Sequence, residues 1–343
     1  MNKSLIIVLV YMLMLGSKKP FSQQSETALA SPSKIELIQK SIVFIAGFDD
    51  SDNTYYTNAK RYFDKKEIQI VEGLYSIDEI VKYLNRAGEQ QIHFKEIHIV
   101  SHSNAWLGMS LKTTETGERI TLKTLQNAIQ ENSIRTIANS ATSVSKIIFH
   151  SCGLGENQEL LQELKNTFGA KQVYASTYFN VFGGKYSDHY LAKPYYGYYP
   201  TAESQGPAHI AKEFKQDYPH LNIDWFTALK TRQESAFGKA YSFKFNIPVD
   251  WEFTFDSVDD IPTLEDKDAI MDWISESPEM AEVLYKLNIP IEKFRWRSSI
   301  QGKKLIIKGK TTVLCVLAPI LQSNDENEYQ NVTVEDRSLY QIL

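Results

Sequence analysis

Two side chains in this sequence combine the chemistry of a nucleophile with that of a base, and each follows a short apolar run. His102 comes directly after residues 95–101 (KEIHIVS), and Cys152 comes three positions after residues 146–149 (KIIF). An imidazole that takes the proton of a thiol generates a thiolate, which attacks a carbonyl carbon. The pair therefore indicates acyl transfer through a thioester, provided that the fold brings the two side chains together.

The elements that must position this pair alternate along the first half of the chain. Short apolar runs separated by amphipathic helical patterns predict strand–helix–strand units, hence a mostly parallel sheet with helices on both faces. Strands that are almost wholly apolar fit a sheet that is covered on both sides. The predicted strands are residues 41–46, 68–71, 95–101, 146–149 and 172–176, and the predicted helices are residues 76–87, with Ser76 as N-cap, and 157–168, closed by Gly169.

Ligands of open parallel sheets bind beyond the carboxyl ends of the strands. If the strands before His102 and Cys152 are neighbours, their ends lie about 5 Å apart and both side chains face one cleft. Gly153 and Gly155 predict a sharp turn with free backbone N–H groups, which could face a developing oxyanion. A helix that begins near Asn157 would add its positive end and favour the thiolate.

These residues resemble the caspase-like cysteine peptidases, the group that includes caspases, clostripain, gingipains and separase. The shared pattern is an apolar strand ending in His102, a hairpin around residues 116–117, a second apolar strand ending in Cys152, and a last strand ending at residues 175–177. The 50-residue separation of His102 and Cys152 fits the caspase spacing. The resemblance covers residues 40–185 and is closest to a bacterial caspase-like domain of uncharacterised function found in exported and surface proteins.

The resemblance implies a cysteine endopeptidase in which Cys152 is the nucleophile and His102 is the general base and acid. It implies an oxyanion hole made by the backbone N–H groups of Cys152 and Ser103, where the family usually has glycine at the position of Ser103. It implies no cofactor and no metal. The implied partner is a protein or peptide substrate.

The resemblance also implies where a substrate side chain would bind. In the family, residues after the first strand line the pocket for the side chain before the scissile bond, and this chain has Asp49 and Asp50 there. Carboxylates at these positions favour an Arg or Lys side chain. Ser176, at the end of the last strand, completes the predicted substrate-binding residues.

A different class of function stays open beside the peptidase. A caspase-like domain without activity could serve as a surface recognition or scaffold module, and Ser103 in place of glycine favours it. The tyrosine-rich residues 186–199 are either a peptide-binding surface or a packing surface between domains. His150 is interpreted as a packing or supporting residue. A zinc site from His98 and His102 is excluded, because strand positions four residues apart are separated by about 13 Å.

Composition and the N-terminal residues restrict location and partners. Lys3 followed by an apolar run over residues 5–15 is typical of a signal peptide, here residues 1–22, and the run is too short to span a bilayer. Its removal takes away three lysines and no acid, which changes the formal charge from −5 to −8. The sequence therefore predicts an exported protein, in the periplasm, at the cell surface or secreted, and argues against a nucleic-acid partner.

The rest of the chain divides into a linker and two predicted domains. Residues 23–38 are the linker, residues 39–207 the caspase-like domain, and residues 208–343 a smaller α+β domain of unknown role. The proline-containing residues 185–206 predict a loop, and Cys315 in an apolar run predicts a buried, inert thiol. In the second domain, predicted strands cover residues 241–247, 251–255, 294–299, 304–307 and 312–318, a helix interrupted at Pro278 covers residues 266–287, and the residues after Gln322 are predicted to lack regular structure.

Overall fold

A computed structural model describes residues 40–47, 54–137, 146–199, 206–321, 323–327 and 333–343. The predicted signal peptide, Asp49 and Asp50 lie outside these residues. The helices are α1 (Thr54–Asp64), α2 (Ile77–Glu89), α3 (Leu122–Gln130), α4 (Gln158–Phe168), α5 (Pro207–Asp217), α6 (Trp225–Lys230), α7 (Lys267–Glu276) and α8 (Pro278–Leu287).

The strands, numbered along the chain, belong to three sheets. They are β1 (Lys40–Ile45), β2 (Gln69–Glu72), β3 (Phe94–Val100), β4 (Ser103–Asn104), β5 (Gly108–Lys112), β6 (Arg119–Ile120), β7 (Lys146–His150), β8 (Gln172–Ser176), β9 (Phe179–Phe182), β10 (His189–Tyr199), β11 (Tyr241–Thr254), β12 (Arg295–Gln301), β13 (Lys304–Pro319) and β14 (Tyr340–Ile342).

Sheet one is the mostly parallel sheet that the sequence predicts. Its strand order is β14-β8-β7-β3-β1-β2, and only β14 runs antiparallel to its neighbour. The helix limits follow from local chemistry. The Ser76 hydroxyl caps α2 by accepting from the Glu79 N–H while donating to the Glu79 carboxylate, and Gly169 ends α4 with φ 55°. Both predicted termini are confirmed.

Two different layers cover the faces of sheet one. On one face, Ile42 and Phe44 of β1 share a core with residues of α2 and α4. On the opposite face, Val43 packs with Phe63 of α1, whereas Ile148 of β7 packs among residues of β8, β10 and the C-terminal segment. The strands are therefore buried on both sides, which explains their apolar sequences.

Sheet two is antiparallel, with the order β11-β13-β10-β9 and β12 paired to β13. Its strands come from both sides of residue 207, and β14, near the C-terminus, joins sheet one. Helices α5 and α6 pack on one part of this sheet through Phe214 and Trp225, and α7 and α8 pack on another through Ile274 and Met280. A third, small sheet has the order β4-β5-β6 and contains the hairpin predicted around residues 116–117.

Four predictions about loops and strand breaks were wrong. Residues 185–206 were predicted as a loop, yet β10 passes through Pro194. Beyond Ala192, β10 pairs only with β13 among the described residues, and its other edge has no partner strand there. A proline is therefore tolerated at residue 194, because no backbone N–H is required on that open edge. Strand β11 similarly continues through Pro248 because it lies at the end of the sheet. Strand β13 is also continuous between residues 307 and 312, where the sequence predicts a break. The residues after Gln322, predicted to lack regular structure, contain β14.

The pairing of β14 predicts a measurable role in stability. Tyr340 is buried among Ile148 and Tyr174, so Tyr340→Ala should lower the free energy of unfolding by about 3 kcal/mol through loss of packing. The substitution Gln341→Ala, at the partly buried neighbouring position, should lower the free energy of unfolding by less than about 1 kcal/mol. Urea unfolding of both variants measures the difference, and equal midpoints would contradict this role of β14.

No helix in the described part of the chain has the length and apolar character to cross a membrane.

Candidate functional site

The register of sheet one places His102 and Cys152 at equivalent positions. Strands β3 and β7 are parallel neighbours, as predicted, and Val100 of β3 pairs with His150 of β7. The Ser101 N–H then donates to the His150 carbonyl at 3.4 Å. His102 and Cys152 each follow this pair by two residues, so both leave the sheet at the same edge.

The imidazole of His102 is held by two tyrosines at the start of α1. The Tyr55 ring stacks on it with a centroid distance of 4.4 Å, and the Tyr56 ring lies at 4.8 Å. The backbone N–H of His102 donates to the Tyr56 hydroxyl at 3.1 Å, while the Tyr55 hydroxyl donates to the His150 carbonyl at 2.7 Å. Helix α1 thus fixes the chain where β3 and β7 end.

The thiol of Cys152 is buried in the layer between sheet one and sheet two. Cys152 is 7 % exposed and shares a cluster with Phe179, Tyr241 and Cys315. Its Sγ–H donates to the carbonyl of Asn180 at 3.8 Å. Burial raises the pKa of Cys152 to about 12, so the thiol is protonated at neutral pH in this conformation. Both cysteines are free thiols, and Cys315 is fully buried, as predicted.

The turn after Cys152 forms as predicted, but its N–H groups are not all free. Gly153 has φ 69°, which favours glycine. Its N–H donates to the Tyr178 carbonyl at 3.1 Å, and the Leu154 N–H donates to the Ser151 carbonyl at 3.3 Å. The expectation that these groups stay available for an oxyanion was therefore wrong. Ser103 lies in β4 without a left-handed φ, so the fold does not require glycine there.

Ser176 is fully buried at the end of β8. Its hydroxyl donates to the Leu339 carbonyl at 2.9 Å and accepts from the Tyr178 N–H at 3.0 Å. These two bonds join β8 to the C-terminal segment and to the chain entering β9. In this conformation the hydroxyl of Ser176 therefore stabilises the fold and is not exposed to a substrate.

Behind the strand ends lies a cluster of three histidines, of which His98 and His150 are buried and His189 is half-buried. Nδ1 of His98 and Nε2 of His150 are 3.1 Å apart, and Nε2 of His189 is 3.1 Å from Oδ1 of Asn180. The rings pack on one another and on Phe182. Asn180 thus contacts this cluster through its side chain and Cys152 through its backbone. His150, interpreted from sequence as a supporting residue, belongs to the buried packing.

Burial keeps these histidines neutral. It lowers the pKa of His150 to about 4 and lowers the pKa values of His98 and His189 as well, with the positive charge of Lys66 acting in the same direction. Nδ1 of His150 and Nδ2 of Asn180 are buried without a hydrogen-bond partner among the described residues. The carboxylate of Glu96 lies 3.9 Å from Nε2 of His98, which is too far for a hydrogen bond.

A cleft of about 740 Å³ opens beside the residues that follow His102 and Cys152. Ser103 and Gly153 line it, together with Glu156, and burial raises the pKa of Glu156. A second cleft of about 900 Å³ is lined by Tyr196 and Tyr198, among others. The two clefts share Ala105 and Trp106 in their linings, so they are adjacent, and together they are called the groove from here on.

Trp106 stands where the two parts of the groove meet, and its position is fixed by hydrogen bonds. Oδ1 of Asn104 accepts from the N–H groups of Trp106 and Leu107 at 3.0 and 2.8 Å, which is the local turn that asparagine favours. The indole N–H donates to the Leu287 carbonyl at 2.8 Å, and the ring packs edge-on against Tyr196 at 4.9 Å. The groove therefore has a rigid aromatic wall.

Three residues of the site were not found from the sequence. Tyr55 stands in a helix whose buried residues are only Ala59 and Phe63, too few to give a helical pattern. Trp106 lies in the loop between Asn104 and Gly108, and a large aromatic residue in such a loop was the signal that could have marked it. Glu156 could have been marked as the acid between the turn glycines and the predicted helix.

Comparison with protein-family models, with curated proteins and with solved structures found no match to this chain. Within the described ranges, no group of three or more His, Cys, Asp or Glu side chains is arranged to hold a metal ion.

The histidine cluster predicts loss of stability in mild acid. The pKa of His150 is about 4 in the folded chain and about 6.5 in the unfolded chain, so the unfolded chain binds more protons between these values. The contribution of neutral His150 is complete above about pH 6.5 and falls by about 2 kcal/mol at pH 5. His98 and His189 act in the same direction.

Urea unfolding at pH 7.5 and pH 5 measures this effect. His150→Gln should reduce the difference in unfolding free energy between the two pH values by about 2 kcal/mol. The matched variant His220→Gln, at an exposed position, should leave the difference unchanged. A pH difference that His150→Gln does not alter would contradict the prediction.

Proposed function

We propose that this chain is a peptide-recognition domain of caspase-like type, in which the groove binds an extended peptide. The observation that carries this proposal is that two clefts adjoin at Trp106, one beside the edge of sheet one and the other beside the end of α8. Cys152 has a packing role in this proposal. The caspase-like assignment is supported by the residues that resemble the family and by the neighbouring positions of β3 and β7.

The lining of the groove suits a peptide with apolar and basic side chains. Trp106, Tyr196 and Tyr198 offer rigid apolar surface, and aromatic residues of this kind dominate binding energies at interfaces. Glu156 adds a carboxylate to one cleft and Asp217 to the other. A basic side chain close to either carboxylate would form a charge-assisted hydrogen bond.

Burial of the thiol favours recognition over catalysis. A catalytic cysteine needs a fraction of thiolate at neutral pH, and the pKa of Cys152 at about 12 leaves almost none in this conformation. The apolar neighbours of Cys152, among them Phe179 and Leu317, pack as a core. Export, as predicted from residues 1–22, would place the groove where it meets extracytoplasmic proteins.

The cysteine endopeptidase is a second candidate, and the shared edge position of His102 and Cys152 favours it. The thiol would have to turn from the Asn180 carbonyl towards the imidazole. His102 would then take its proton, the thiolate would attack the substrate carbonyl, and the imidazolium would protonate the leaving amine as the thioester forms. Water would hydrolyse the thioester. The N–H groups of Ser103 and Cys152 would face the oxyanion, and Asp49 and Asp50 would favour a basic side chain.

A peptide library tests both candidates. Dodecapeptides displayed on phage would be selected on the full chain, and synthetic binders measured by fluorescence polarisation. Trp106→Ala should weaken binding about tenfold or more, the loss expected for a central aromatic anchor. Trp273→Ala, at a similarly half-buried position outside the groove, is the control and should bind normally. Circular dichroism melts would establish that both variants are folded.

Mass spectrometry of the same peptides after incubation separates the two candidates. Intact peptides and an affinity that depends on Trp106 support recognition. Cleavage products that disappear in Cys152→Ala and in His102→Ala would contradict pure recognition and establish the peptidase. Equal binding by Trp106→Ala and Trp273→Ala would contradict the groove as the peptide site.

A further inference from the structure

A separate feature lies on the outer face of sheet two, where β12 and β13 place like charges opposite each other. Arg295 pairs with Lys310 and Arg297 pairs with Lys308 in the antiparallel register, and all four side chains are exposed. The sequence shows only basic residues at alternate positions. Strand pairing brings them together as two rows, here called the β12–β13 basic face.

The register of β12 against β13, which creates this face, is fixed by residues on the buried face of the same two strands. Trp296 lies between the two arginines, points inward and packs over Gly309, its partner on β13. A Cβ at residue 309 would come within 2.2 Å of the Trp296 ring, so the pair requires glycine. The indole N–H donates to the Ile291 carbonyl at 2.9 Å. The four cations therefore cannot leave the outer face by a slip of one residue.

Like charges directly opposite on neighbouring strands destabilise a sheet. Asp250, opposite Lys308 on β11, is the only acid among the residues that line this face. Elsewhere on the same surface, charges are balanced, as in the ion pair of Lys304 with Glu252. The chain as a whole has a formal charge of −5, so this excess of positive charge is local. A bound anion would remove the repulsion.

The face is concave and small. It lines a cavity of about 620 Å³, within the range of small-molecule sites. The backbone positions of the four residues are spaced about 5 Å across the strands and about 7 Å along them, and their long side chains can converge on a ligand. Guanidinium groups match the oxygens of phosphate and sulfate in a bidentate manner. Two such groups on one molecule would fit four cations in this arrangement.

We propose that the β12–β13 basic face binds a compact anionic ligand that carries at least two phosphate or sulfate groups. A nucleic acid fits less well, because four cations span only about two phosphates and Trp296, the aromatic residue between the two arginines, is buried. The site uses neither the groove nor Cys152, so it does not depend on the proposed function.

Isothermal titration of the full chain with tripolyphosphate at low salt tests the proposal. The double variant Arg297→Gln with Lys308→Gln should bind about tenfold more weakly, because half of the cations are removed. The matched control Lys212→Gln with Lys215→Gln removes two exposed cations from α5 and should bind like the unaltered chain. Without ligand, the first variant should melt at the same temperature as the unaltered chain or higher, since it relieves repulsion.

Further titrations with inorganic phosphate and with a heparin tetrasaccharide define the ligand. Tripolyphosphate or the tetrasaccharide should bind at least about tenfold more tightly than inorganic phosphate, and the stronger of the two identifies phosphate or sulfate as the natural group. Equal affinity for inorganic phosphate would overturn the requirement for two groups. Binding that is the same in both double variants, absence of binding, or affinity that rises with the length of single-stranded RNA would overturn the proposal.

Discussion

The pairing of β7 between β3 and β8 is the constraint on which the candidate site depends. It aligns the end of β7 with the end of β3, and it also makes β7 a central strand that is covered on both faces. The chain that follows β7 enters the layer between the two sheets before it turns at Gly153. Cys152 is therefore buried like the strand that precedes it, and the apolar surroundings of its thiol raise the pKa of Cys152.

Two parts of the chain adapt to this constraint from opposite sides. Helix α1 brings Tyr55 against His102 and the end of β7, so the imidazole is held at the rim. Strand β9 brings Asn180 to the inner side, where its carbonyl accepts from the thiol and its side chain contacts the histidine cluster. At the same edge of the sheet, the tyrosines of α1 hold the imidazole, the next residues Ser103 and Gly153 line the groove, and an apolar interior encloses the cysteine.

The sequence predicts those features that local chemistry determines. Ser76 and Gly169 mark helix ends because their capping geometry involves only nearby residues, and the apolar runs identify the five parallel strands of sheet one but not β14. Features set by long-range pairing are not predictable in this way. Pro194 indicated a loop because the sequence does not show that β10 needs a partner on one side only there. The direction of the Cys152 thiol depends on sheet two, whose strands lie far away in sequence.

In the proposed function Cys152 is a structural thiol, and the pH dependence of its alkylation tests this role most directly. The full chain and His102→Ala would be treated with iodoacetamide between pH 6 and pH 9, with labelled sites read by mass spectrometry. A structural Cys152 should react more slowly than a free thiol at every pH, and at the same rate in the unaltered chain and in His102→Ala. Rapid labelling of Cys152 at pH 6 that is lost in His102→Ala would contradict it and establish a thiolate–imidazole pair.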